Sequence, residues 1–503
     1  MYVYKHILFD SQGLLRVTKT SEIIASAVGV LGVSLVLEIL WSGPLGGVYP
    51  GLLLTAAATS VVGWVFLARF VVTLGLKEKL FITLGIVCVA NLVFGLQGIE
   101  NNHYLGHWYS GSDDIVYLQG AIDFAQNLRQ SSNLADYVAA YGTVPHDTTY
   151  VGYTVFLAHL SLLVSDDLYA LMRISVLFNT FFILLIAGFI LRCGQVTQRF
   201  WRIFLAVYLT MGFELFYIGT LALKDCTAEI LILVATWGVS RLALERMSFA
   251  IAGLVALALT CLYFIRAPFM LVPPLAVCLA IPTARTSGVL RRITMLVAMV
   301  ATLLALSITI GRTDWYQRNS NTPSLGLSVS RDVDEQGIAA KVYRIRIAGP
   351  MIMAFITPLP PTDMARFMQR PSAIDVLRGL GTAVSLLIMA LVAWRAVRKG
   401  FHHNAQWLTW AYVAVLVFIP AAYGSTESRH KLPALVAVMI CFHYKERSRT
   451  QQCLRLAPFQ KANCVSRGEC SLESKALPVF HISTLSRQRS HAAGRKLFTT
   501  KLQ

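Results

Sequence analysis

Two adjacent carboxylates, Asp113 and Asp114, stand in the stretch Ser112-Asp113-Asp114-Ile115-Val116-Tyr117, followed by Gly120 and Asp123. A carboxylate beside another is more basic than one alone, so the pair suits removal of a proton from an attacking hydroxyl. The same oxygens suit a divalent cation. A plainer reading has Ser112 or Asp113 capping a helix, accepting from free backbone N–H groups and complementing the helix dipole.

Cations recur where apolar stretches end. Lys224, in Leu223-Lys224-Asp225, either contacts a phosphate or pairs with Asp225 at the membrane interface while its stem lies along apolar surface. Glu229, one turn further on, is an acid among apolar residues and requires a partner. Arg266, in Phe264-Ile265-Arg266-Ala267-Pro268, must reach the interface or an anion, because arginine at mid-bilayer costs about 2.5–3.5 kcal/mol. Its guanidinium matches phosphate through two parallel hydrogen bonds. In Glu427-Ser428-Arg429-His430-Lys431-Leu432-Pro433, the three residues Arg429, His430 and Lys431 precede another apolar run, either as an ordinary polar turn or as contacts for an anion. His103 and His107 share a helical face, but no third ligand follows, which favours solvated histidines over zinc. No phosphate-binding lysine loop, dinucleotide glycine pattern or Gly-x-Ser-x-Gly elbow is present.

The elements that must position these groups are membrane helices. The chain has 503 residues, 56% hydrophobic and 14% charged, against roughly 25% charged in soluble domains. Apolar runs recur from residue 22 to 444, each near the ~20 residues that cross a bilayer as helix. They are continuous rather than alternating, which excludes a β-barrel. The expected fold is all-α and polytopic, with about twelve transmembrane helices. Basic loops fix the orientation: both termini fall in the cytoplasm, and the Asp pair, Lys224, Arg266 and the 427–431 run fall outside. Residues 249–282 read as a hairpin of two spans with Arg266 at its outer turn. Two larger external loops, 98–150 and 311–375, follow from the same scheme. Residues 151–165 are apolar but short, and either lie in the interface or form a tight span.

Three regions result: two N-terminal helices in 1–79, a membrane core in 80–444, and a basic cytoplasmic tail in 445–503, expected to be disordered. That tail holds twelve Lys/Arg against three Glu, so much of the formal charge of +18 reflects topology and not nucleic acid. Anionic lipid is a better partner for it. Cys453, Cys464 and Cys470 match no zinc spacing, and no disulfide framework is implied.

An external Asp-Asp shortly before a tyrosine, after an early span, resembles the C-type membrane glycosyltransferases, a superfamily that includes polyprenyl-phosphate-sugar mannosyltransferases. Gly152-Tyr153-Thr154-Val155-Phe156-Leu157-Ala158-His159-Leu160, leading to Asp166-Asp167 and Leu171-Met172-Arg173, is similar as well. Ser428-Arg429-His430-Lys431-Leu432-Pro433 resembles their late Arg-x-x-Leu-Pro element. The likeness covers residues 80–440 and implies Asp113 or Asp114 as general base and Arg429 as a donor-phosphate contact. Three spans precede the Asp-bearing loop, two more than that family usually has. Glu214-Leu215-Phe216-Tyr217 before Leu223-Lys224-Asp225 also resembles segments of bacterial polysaccharide polymerases.

The resulting expectation is a bacterial inner-membrane glycosyltransferase that moves a sugar from a polyprenyl-phosphate donor to a glycan, lipid or protein acceptor. Lys224, Arg266, Arg429, His430 and Lys431 would hold the donor phosphate, and no cofactor is required beyond a possible divalent cation at Asp113 and Asp114. The absence of Asn-x-Ser/Thr in the external loops fits a bacterial source. The alternatives are a polymerase acting on polyprenyl-diphosphate glycans, and a transporter or flippase, for which the spans offer few ionisable groups beyond Glu38, Arg69, Glu214 and Glu229.

Overall fold

The computed structural model describes residues 76–104, 112–141, 151–163, 167–193, 201–244, 248–285, 372–399, 405–424 and 431–443, with scattered positions from 61 to 75. The described elements are all helices, as the continuous apolar runs require. In chain order they are α1 (Leu76–Tyr104), α2 (Ser112–Gln130), α3 (Leu134–Ala140), α4 (Val151–Leu163) and α5 (Leu168–Cys193). Then come α6 (Trp201–Met211), α7 (Phe213–Gly219), α8 (Asp225–Leu244) and α9 (Phe249–Arg266). A short 3-10 turn, Ala267–Leu271, leads into α10 (Val272–Arg285), and α11 (Ala373–Lys399), α12 (Ala405–Gly424) and α13 (Leu432–His443) complete the set.

Among the described residues, five helices are long and apolar enough to cross a membrane: α5, α8, α9, and the segments Lys77–Asn101 of α1 and Ala373–Arg395 of α11. Helices α6 and α7 pass the same test together as one span bent by 58°. Helices α4 and α13, Phe269–Pro282 and Gln406–Val417 are apolar but shorter. The expected spans 22–41 and 293–310, nearly all of loop 311–375 and the tail 445–503 lie outside the described residues. By chain contacts, Met1–Lys445 forms one unit and Glu446–Gln503 a second.

Residues 249–282, expected as two spans, divide into α9 and α10 at a 3-10 turn, with Arg266 as the last residue of α9; α9 is long enough to cross a membrane and the apolar helix after it is shorter. The stretch 98–150, expected as a polar loop, instead carries the end of α1 and the helices α2 and α3. In α2, Leu118, Ala121, Ile122, Ala125 and Leu128 recur at helical spacing and are buried. They pack with Tyr153, Leu157 and Leu160 of α4 and Leu171 and Ile174 of α5 in one apolar cluster. Polar composition concealed that periodicity. Helix α4, at 13 residues, is ~20 Å long, short of the ~30 Å hydrocarbon core.

Local chemistry sets the helix ends. Asn133 caps α3 by accepting the Asp136 N–H at 2.9 Å, and Ser132 Oγ returns 2.7 Å to the Asp136 carboxylate. Asp167 accepts the Ala170 N–H at 2.8 Å at the head of α5. Ser372 does the same for Ile374 at 3.2 Å while donating to Glu100 at 2.6 Å, which fastens α11 to the end of α1. The bend between α6 and α7 falls at Gly212, where a Cβ would meet the Tyr208 carbonyl oxygen at 2.3 Å. Where α7 stops, buried Asn179 donates to the carbonyls of Gly219 and Leu221 at 3.2 and 2.9 Å. The Leu221 carbonyl also accepts the Leu223 N–H at 2.8 Å, so the bond from Asn179 matters most at Gly219, since a buried carbonyl needs a donor.

Candidate functional site

The heads of α2, α8, α11 and α13 and the tail of α9 carry charged groups that the fold draws into two clusters. In the first, Asp114 lies in the opening turn of α2, is 3% exposed, and accepts the Ile115 N–H at 3.1 Å. Asp113 is the second residue of that helix, and its side chain lies outside the described residues. One turn after Asp114, the Tyr117 hydroxyl accepts from Lys224 Nζ at 2.5 Å. The Tyr117 ring stands edge-on to Tyr153, centroids 5.5 Å apart, and the Tyr153 hydroxyl lies 3.2 Å from Ser175 Oγ. A continuous line of side chains therefore joins α2, α4, α5 and the head of α8.

Asp225, next to Lys224, forms an ion pair with Arg266, whose guanidinium also lies over the Phe269 ring at 4.5 Å. Asp225 thus pairs with Arg266, 41 residues away, and Lys224 donates to a tyrosine. Lys224 is brought to the helix that bears Asp113 and Asp114, and Arg266 stands beside Asp225, the neighbour of that lysine. Glu229 follows one turn below Asp225, buried, with neither carboxyl oxygen hydrogen-bonded among the described residues.

The second cluster centres on Arg378. Its Nε and Nη2 donate to Glu214 Oε2 and Oε1 at 2.9 and 3.1 Å, a two-pronged pairing. Nη1 lies 3.5 Å from Asp375, and the guanidinium covers the Tyr217 ring at 4.0 Å. Lys431, expected in an exposed run of charge, is 1% exposed and donates to Thr382 Oγ1 at 3.3 Å. Burial pushes its ammonium down to about 8, against the opposing effect of Glu214. The other two residues of that run, Arg429 and His430, lie outside the described residues. Sequence reasoning passed over Arg378, although the signal that picked out Arg266, an arginine beside a long apolar run, applies equally to it.

A third polar group lies on α3 and α4. His159 Nδ1 stands 2.8 Å from the Val155 carbonyl, so that nitrogen carries the proton, and Nε2 accepts from Tyr137 at 3.0 Å, with Tyr141, which donates to the Tyr137 hydroxyl, 3.3 Å away. Burial, and then the neighbouring Tyr137, push the Tyr141 hydroxyl up to about 12. Arg173 is buried over the Phe94 ring at 5.3 Å, tying α5 to α1. Among the described residues, no three of His, Cys, Asp or Glu stand together as metal ligands. His107 and the side chain of His103 lie outside them.

No known protein family, curated protein or solved structure matches the chain. Its own geometry therefore carries the functional reading. A buried acid opens a helix whose next turn rests on a lysine, and an arginine stands beside that lysine's neighbour. Such an arrangement can take a proton at one end and stabilise negative charge at the other.

Proposed function

We propose that the protein is a polytopic membrane glycosyltransferase of the C type, acting on a polyprenyl-phosphate-linked sugar. The observation that carries this reading is the docking of α2, with Asp113 and Asp114 in its first turn, onto Lys224 through Tyr117, beside the Asp225–Arg266 pair. Acid and cations far apart in sequence thereby share one region. In the proposed step, Asp113 or Asp114 takes the proton of the acceptor hydroxyl as its oxygen bonds to the anomeric carbon. The bond from that carbon to the phosphate oxygen breaks, and the phosphate leaves with the electron pair. Arg266 and Lys224 stabilise the departing charge, joined by Arg429 and His430 from the adjoining segment.

The proposal includes about twelve spans, cytoplasmic termini and a place in a bacterial inner membrane, which the distribution of basic loops supports. The acceptor is a glycan, lipid or protein on the outer face. A second reading, polymerisation of polyprenyl-diphosphate glycans, is favoured by the Arg378–Lys431 cluster, which places two further cations around the Glu214-Leu215-Phe216-Tyr217 segment.

The deciding experiment measures sugar transfer from radiolabelled polyprenyl-phosphate donors in proteoliposomes, with wild type, Asp113→Asn and Asp114→Asn. Transfer by wild type and its loss in one folded variant supports the proposal and identifies the base. Extension of preformed polyprenyl-diphosphate glycans without single-sugar transfer would establish the polymerase instead. Absence of both across a broad donor panel sinks the enzyme reading.

A further inference from the structure

Glu229 is 1% exposed, lies one turn below Asp225 on α8, and has no hydrogen bond to either carboxyl oxygen among the described residues. An ionised carboxylate so placed is penalised by several kcal/mol unless a cation or donor reaches it. Among the described residues, the cation within its electrostatic reach is Arg266 of α9, which pairs with Asp225. From α6 comes Tyr208, whose hydroxyl donates to the Ile183 carbonyl at 2.7 Å, and Cys226 lies alongside on α8 itself. Helix α7 brings Glu214 and Tyr217, both engaged with Arg378, and Lys431 ahead of α13 donates to Thr382. Helices α9, α10, α12 and α13 add Leu262, Ala276, Tyr412 and Ala437 to the apolar cluster that encloses this stretch of α8.

We propose that Glu229 is a proton-binding site inside the helix bundle, loaded while Arg266 serves Asp225 and emptied when Arg266 turns to Glu229. One guanidinium faces two acids a single helical turn apart, so it can neutralise one fully and the other must hold a proton. When Arg266 changes partner, the O–H bond of Glu229 breaks and the proton forms an O–H bond on Asp225, which has just lost its cation. The charge of the triad is the same before and after, which makes the exchange possible in an apolar setting. The site goes beyond sugar transfer and does not depend on it.

The test is infrared spectroscopy of the full chain in lipid nanodiscs near neutral pH, in the carbonyl-stretching region of protonated carboxyls. Wild type should show a protonated-carboxyl band that Glu229→Gln removes. Asp225→Asn should remove it as well, because Arg266 is then released to ionise Glu229. Arg266→Gln should raise the band about twofold, one protonated acid becoming two. A wild-type spectrum identical to that of Glu229→Gln overturns the proposal, whatever the fate of the other variants. So does a band that survives intact in folded Asp225→Asn, or one that stays unchanged in folded Arg266→Gln.

Discussion

Replacing Glu214 with alanine takes away the carboxylate on which both Nε and Nη2 of Arg378 rest, at 2.9 and 3.1 Å. Asp375, 3.5 Å from Nη1 and 30% exposed, is a poor substitute. Lys431 loses the acid that offsets its burial at the same time. Stranding one member of a buried pair costs about 3–5 kcal/mol. Arg378 retains 15% exposure, so water can reach it in part and the lower end applies. Glu214→Ala and Arg378→Ala should therefore each lower stability by about 3 kcal/mol. The double variant Glu214→Leu/Arg378→Met leaves no stranded charge and should lose less than the sum, by about 2–3 kcal/mol. Unfolding in mixed micelles titrated with an anionic detergent, followed by circular dichroism, would measure all three. Single variants that lose less than about 1 kcal/mol, or a double variant that equals the sum of its parts, refute the reasoning.

Three further predictions concern packing and protonation. Gly152→Ala would set a Cβ 2.8 Å from Phe264 Cβ and 3.1 Å from its backbone; it should loosen α4 from α9 at a cost of about 1–3 kcal/mol, read by thermal unfolding and faster amide exchange in α4. Asn179→Ala should cost about 1–3 kcal/mol, because the Gly219 carbonyl loses this donor while the Leu221 carbonyl keeps the Leu223 N–H at 2.8 Å; a variant as stable as wild type would show that the Gly219 carbonyl finds another donor. Lys431 titrates at about 8 in the folded chain, against 10.5 for an ordinary lysine. Between those values the unfolded chain binds the extra proton, so stability should be flat below pH ~8, rise to about pH 10.5, and lose this slope in Lys431→Met.

The helical class and the break in the chain at Arg266 were legible because both follow from composition: a long apolar stretch interrupted once by a charge beside Pro268 favours a helix that ends there. The partners were not legible. Lys224 and Asp225 are adjacent and of opposite sign, which suggested that they pair; yet neighbours along a chain entering a helix do not face each other, and the fold delivers Arg266 to one and Tyr117 to the other. Lys431, read with Arg429 and His430 as either a polar turn or an anion contact, is carried inward to Thr382 by the start of α13, a partner 49 residues away that its polar neighbours do not reveal. In 98–150, the apolar spacing of α2 was present throughout but outweighed by its aspartates and glutamines.

The Lys431–Thr382 contact has an electrical consequence. Thr382 is nine residues along α11 from Ala373, or ~14 Å by helical rise, about the thickness of one leaflet. Helix α13 thus begins beside the third turn of α11 and not beside its first. We expect a cation held there to feel part of any voltage applied along the helices, where a full crossing is worth about 2.3 kcal/mol per 100 mV. Proton occupancy of Lys431 should then shift with voltage as well as with pH, which titration of the folded chain in energised and de-energised vesicles would read.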